Sequence, residues 1–162
     1  MKSTTTRDLT QVALLATLIS LTGMLKIPLG FPGTEFQLSA PIAVVIMSIF
    51  GFKKYFTAGV ISSTILFLLG MHTIVHVAIA MIFRLVVGAL IAAFGRNLVT
   101  ISLAGPIATM TSRFILSFVL NVSYLPLLLS SVPGMVLTGL LSYPLYKTVR
   151  KLLESRGVVA IG

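Results

Sequence analysis

Apolar residues fill this chain in long runs that do not alternate with polar ones. A helix that crosses a bilayer needs about 20 largely apolar residues. Six segments answer to that pattern, at 9–27, 37–52, 55–70, 74–94, 98–120 and 126–149. Pro28, Gly70 and Gly95 end the first, third and fourth of them. The connections carry turn chemistry: Pro28-Leu29-Gly30-Phe31-Pro32-Gly33, the basic Gly51-Phe52-Lys53-Lys54, and the polar Asn121-Val122-Ser123. Strands of a membrane barrel would alternate apolar and polar residues, and these segments do not. Helices satisfy their own backbone hydrogen bonds in lipid. The pattern therefore predicts an all-α membrane protein, a compact bundle of six transmembrane helices in a single domain over 1–162, without internal repeats.

Composition strengthens this reading. Hydrophobic residues make up 57% of the 162 and charged ones 9%, against roughly a quarter charged in soluble domains. A core of this size cannot hide so much apolar surface from water. The apolar run at 9–25, flanked by Lys2 and Arg7, resembles a signal peptide, but no small-residue cleavage site and polar mature segment follow it. It reads as the first span.

The net charge of +9 does not point to nucleic acid, because the basic residues are scattered between apolar runs and form no soluble basic face. Numbered by helix parity, one side of the bundle holds Lys2, Arg7, Lys53, Lys54, Arg96, Lys147, Arg150, Lys151 and Arg156; the other holds Lys26. Basic residues stay in the cytoplasm, so both termini are expected there, with 28–36, 70–73 and 121–125 outside.

Two basic residues fall within spans. Arg84 is expected roughly 15 Å deep and Arg113 roughly 10 Å deep from the outer ends of their helices. A charge in the membrane is costly and marks a functional site by default. The chain has three acids: Asp8 and Glu154 on the cytoplasmic side and Glu35 in the first outer loop. At most one acid can reach the two arginines, which leaves an external anion, a carboxylate or phosphate, as a partner. The alternative is that each arginine bonds freed backbone carbonyls or snorkels to headgroups.

Ser102, Pro106, Thr109, Arg113 and Ser117 share one helical stripe, as do Ser131, Gly134, Thr138 and Ser142 in the next span. His76 lies about 80° around its helix from Arg84. These faces either pack together, as small residues do in membranes, or line a cavity; the arginines favour a cavity open to the outside. His72 and His76 stand at i, i+4, but no third metal ligand follows, so no metal is assigned. No carboxylate pair, no cysteine, no GxSxG and no phosphate-cradling glycine loop is present, so no catalysis and no cofactor is expected. On the first helix, Ala13/Thr17 and Ala16/Ser20 form small-xxx-small pairs that allow close helix approach.

With these elements in place, the chain resembles the substrate-binding S components of energy-coupling factor (ECF) vitamin transporters. Phe36-Gln37-Leu38-Ser39-Ala40-Pro41, Phe50-Gly51, Gly59, Ser62 and Phe67-Leu68-Leu69-Gly70 are similar to the second and third helices of that family, and Phe83-Arg84-Leu85 with Gly88 to the fourth. The resemblance implies an outer pocket built by helices four to six and capped by the first outer loop, Pro28 to Glu35. Its expected substrate contacts are Arg84, Arg113, His76, Thr109, Ser117, Gly134, Thr138, Glu35 and Phe31. It also implies docking of the first helix on a transmembrane coupling subunit driven by two ATPase subunits. Ala13 matches one alanine of that docking face and Thr17 replaces the other, with Ala16/Ser20 as the second candidate pair. The implied cargo is a small micronutrient, a vitamin or precursor, and the arginines favour an anionic one. A stand-alone transporter or channel and a structural or assembly membrane protein are the rival readings.

Overall fold

The computed structural model describes residues 6–28 and 35–156. Five helices carry the described chain: α1 (Thr6–Met24), α2 (Ser39–Leu68), α3 (Ile74–Phe94), α4 (Leu98–Leu120) and α5 (Tyr124–Ser155). Two short strands, β1 (Lys26–Pro28) and β2 (Glu35–Gln37), pair antiparallel between α1 and α2, with Ile27 opposite Phe36. α2, α3, α4 and α5 are long and apolar enough to cross a membrane. Many of their large apolar side chains, among them Leu68, Phe94, Phe118, Val119 and Leu140, point outward. In water such a surface would be untenable, whereas lipid solvates it. The chain is a multi-pass membrane protein.

The structure corrects the predicted spans in several places. Five helices stand where six were expected among the described residues, because 37–52 and 55–70 belong to one element, α2. Gly51 interrupts it with φ 80° and ψ 171°, a conformation open essentially to glycine alone. A Cβ on Gly23 would sit 3.2 Å from Leu66 Cδ1 and 4.0 Å from Ser39 Cβ. In a straight helix those two residues would be roughly 40 Å apart. The two halves of α2 therefore fold back on each other at Gly51. Phe52, Lys53 and Lys54, expected in a turn, already belong to the second half.

α1 ends at Met24, short of the predicted Pro28, because Lys26–Pro28 pair with β2 instead of continuing the helix. α3 and α4 follow the predicted bounds. Gly95, at φ 78°, ends α3, and Asn121, at φ 51°, ends α4; a short polar side chain tolerates that left-handed turn. α5 starts at Tyr124 and runs to Ser155, past the expected end at 149.

Small residues set the helix spacing. A Cβ on Gly88 would meet the Phe52 ring at 2.5 Å, and one on Gly105 would collide with Thr138. Pro106 supplies no N–H to the Ser102 carbonyl, and Gly139 of α5 lies against both. On α1, Ser20 donates to the Ala16 carbonyl, and its oxygen can accept from the Ser62 hydroxyl of α2, 3.0 Å away. The core gathers around Val44, Tyr55, Ala58, Val87, Ile101 and Ala108.

Candidate functional site

One cavity of about 340 Å³ opens in the half of the bundle that holds β1, β2 and the turn before α3. Every helix contributes. Ile19 comes from α1; Ser39, Ala40 and Ala43 from the start of α2; His76, Ile79, Ala80, Phe83 and Arg84 from α3. Thr109, Ser112 and Arg113 come from α4, and Ser130, Ser131, Gly134, Met135 and Thr138 from α5, while His72 stands in the turn before α3. The walls are largely apolar, with two guanidinium groups, two imidazoles and several hydroxyls. No Asp or Glu is among these lining residues.

Arg84 is 6% exposed. Its Nη1 donates to Ser63 Oγ at 2.9 Å and approaches Met81 Sδ at 3.7 Å. A guanidinium has five N–H donors, and Arg84 lines the cavity with only its Nη1 bonded among the described residues. Arg113 is half-buried and makes no hydrogen bond or ion pair among the described residues. Two of the three acids are committed at the opposite end of the bundle. Asp8 pairs with Lys54 at 2.7 Å, and Glu154 pairs with Arg150 at 2.6 Å.

The histidines stand at the cavity's edge. His72 and His76 stack with centroids 5.5 Å apart. Thr73 caps α3: its hydroxyl accepts from the His76 backbone N–H, and its own N–H donates to His76 Nδ1. This capping box explains why His76 faces back toward the turn, since a side chain at the third helical position is the one that reaches the cap.

Most of the hydroxyls are occupied locally. Thr109 donates to the Gly105 carbonyl, Ser112 to Ala108, Ser131 to Leu128 and Thr138 to Gly134. A hydroxyl that donates to its own helix still has oxygen lone pairs to offer. This cavity can therefore accept hydrogen bonds at several points while its charge is cationic.

Arg84, Arg113, His76, Thr109, Gly134 and Thr138, all expected from the sequence, line this one cavity. Ser117 does not. It is buried in the last turn of α4 and donates to the Phe114 carbonyl at 2.7 Å. Glu35 has its backbone in β2, and Phe31 lies outside the described residues. Ser39, Ala40, Ala43 and Ile19 were not expected, because no periodicity within α1 or α2 singles them out. On α1 the two small-residue pairs part company: Ala16 and Ser20 are buried against α2, while Ala13 and Thr17 are exposed.

The chain is 54% identical over 147 residues to Protein BioX of Lysinibacillus sphaericus, an alignment covering 91% of this chain and 89% of that one. No family model matches the chain, and no solved structure matches it.

Proposed function

The chain belongs to the family of Protein BioX, and from that premise we propose that it is the substrate-binding component of a vitamin-related membrane transporter. The observation that carries the reading is Arg113, a half-buried cation that lines a cavity with no Asp or Glu among its described lining residues and that has no partner among the described residues. A buried charge left unpaired is expensive, and an anionic ligand would relieve that cost. A cavity of this volume, mostly apolar with a few converging polar groups, suits a compound of vitamin size. The Bio prefix of the relative's name, read as biotin, narrows the proposal to biotin and carboxylates related to it.

We further assign the chain to the S components of ECF importers, with six membrane-crossing segments and both ends in the cytoplasm. The fold-back at Gly51 supports counting the two halves of α2 separately. The concentration of basic residues at the Gly51 and Gly95 end supports a cytoplasmic position for that end. Under this reading the cavity faces outward, and α1 meets the coupling subunit through Ala13 and Thr17, the pair that α2 leaves exposed. ATP is then consumed by two partner ATPase subunits.

The test is native mass spectrometry of gently purified protein, followed by thermal-shift titration with biotin, dethiobiotin and other carboxylated vitamins. A released carboxylate below about 500 Da, or stabilisation by one of the panel, is expected, since a ligand at 100 times its dissociation constant stabilises by about 2.7 kcal/mol. An empty protein that no member of the panel stabilises would overturn the binding role.

A further inference from the structure

α2 and α3 meet through a contact that the stripes of polar residues do not explain. Arg84 of α3 reaches across to Ser63 of α2, and its side chain passes directly over Gly59. A Cβ at Gly59 would lie 2.6 Å from Arg84 Cδ and 2.8 Å from Cζ, and would collide with Nε. Gly59 has no left-handed backbone angle that calls for glycine, and it sits inside a helix, where glycine is a poor choice. What the position does require is empty space.

We propose that Gly59 is a positioning residue for the cationic wall of the cavity: its missing side chain forms the slot in which the Arg84 guanidinium lies, held there by Ser63. The slot gives the two arginines different roles. Arg84 is laid flat on α2 and fixed, so its remaining donors meet the cavity at a set place. Arg113 has no such bed and adapts to the ligand. Filling the slot displaces the end of a flexible side chain and no backbone, and alanine is the better helix former. Gly59→Ala therefore folds, with Arg84 expelled from Ser63 into the cavity. The consequence for ligand capture rests on the anion-binding role proposed above; the slot itself does not.

The experiment has two arms so that the two can fail separately. In the first, detergent-purified protein without ligand is treated with phenylglyoxal, which modifies accessible guanidinium groups, and labelling is quantified by peptide mass spectrometry. Arg113 is expected to label several-fold faster than Arg84 in the native protein. Gly59→Ala is expected to raise Arg84 labelling about fivefold or more while leaving Arg113 unchanged. Unchanged Arg84 labelling in Gly59→Ala, or an equal rise at both arginines, overturns the slot. In the second arm, tritiated biotin is the probe. Gly59→Ala is expected to weaken its binding about tenfold, with no further loss in an Arg84→Met background. Equal losses in both backgrounds would mean that Gly59 acts on the fold alone and would overturn the positioning role. If the native protein binds no biotin at all, the substrate assignment fails and the labelling arm still decides the slot.

Discussion

Arg113, half-buried, and Tyr55, fully buried, are polar groups without a hydrogen-bond partner among the described residues, and opposite outcomes follow from replacing them. Arg113 faces a cavity, so its cost is recovered when an anion arrives. Arg113→Ala is expected to weaken ligand binding by about 2 kcal/mol or more, the usual loss on truncating one side of a buried charge pair, as read by titration calorimetry. Tyr55 is fully buried within α2, its hydroxyl has no partner, and it is absent from the cavity wall. An unmet buried donor costs about 1–3 kcal/mol, so Tyr55→Phe should raise the melting temperature and leave binding unchanged; a fall in stability would mean that the hydroxyl is satisfied in the membrane. The arginines were legible in the sequence because a charge inside an apolar run has few explanations. Ser117 stands off this cavity for a reason of geometry. Each step of four residues rotates the face by about 40°, so the stripe drifts off the cavity by the last turn of α4. Tyr55 gave no signal at all, since a tyrosine in an apolar run is ordinary until its hydroxyl is located.

Among the elements, α1 and α2 separate what sequence spacing left equivalent. Ala13/Thr17 and Ala16/Ser20 have the same spacing, and only the packing of α2 distinguishes them. Ala16 is 2% exposed, so Ala16→Trp must force α1 and α2 apart, at about 1–3 kcal/mol or more for overpacking. Ala13→Trp changes an exposed face and should leave the melting temperature and ligand binding intact while blocking uptake by the assembled transporter. Uptake at the native rate in Ala13→Trp would remove that face as the docking surface. α2 shows the complementary limit. Apolar runs located both of its halves, and the turn residues around 51 separated them, yet the break is confined to one glycine with the following lysines already helical. Backbone angles are set by that single residue, so Gly51→Ala should cost about 1–3 kcal/mol, measurable by thermal unfolding, even though the added methyl would meet no described atom within 4 Å beyond its own stretch of chain.

For the molecule as a whole, the strongest sequence signal was the asymmetry of charge, and the fold gives it a physical setting. Lys54 pairs with Asp8 where α1 begins and α2 reverses, and Arg150 pairs with Glu154 near the end of α5. Both acids thus compensate basic residues at one end, while the cavity with its two arginines lies in the other half. What the sequence could not supply was the joining of distant segments: Ser39, Ala40 and Ala43 reach the cavity only because α2 folds back and sets its start beside α1 and α5. If the two halves of α2 each cross the bilayer, residue 53 and residue 123 lie on opposite faces. The chain has no cysteine, so single substitutions report without background. Lys53→Cys should react with a membrane-impermeant maleimide in inside-out vesicles and not in intact cells, and Ser123→Cys should do the reverse. Labelling of both from the same face would mean that α2 enters and leaves the membrane on one side. If that shared face is the cytoplasmic one, the cavity end, where residue 123 joins α4 to α5, opens inward, and outward capture would have to be abandoned.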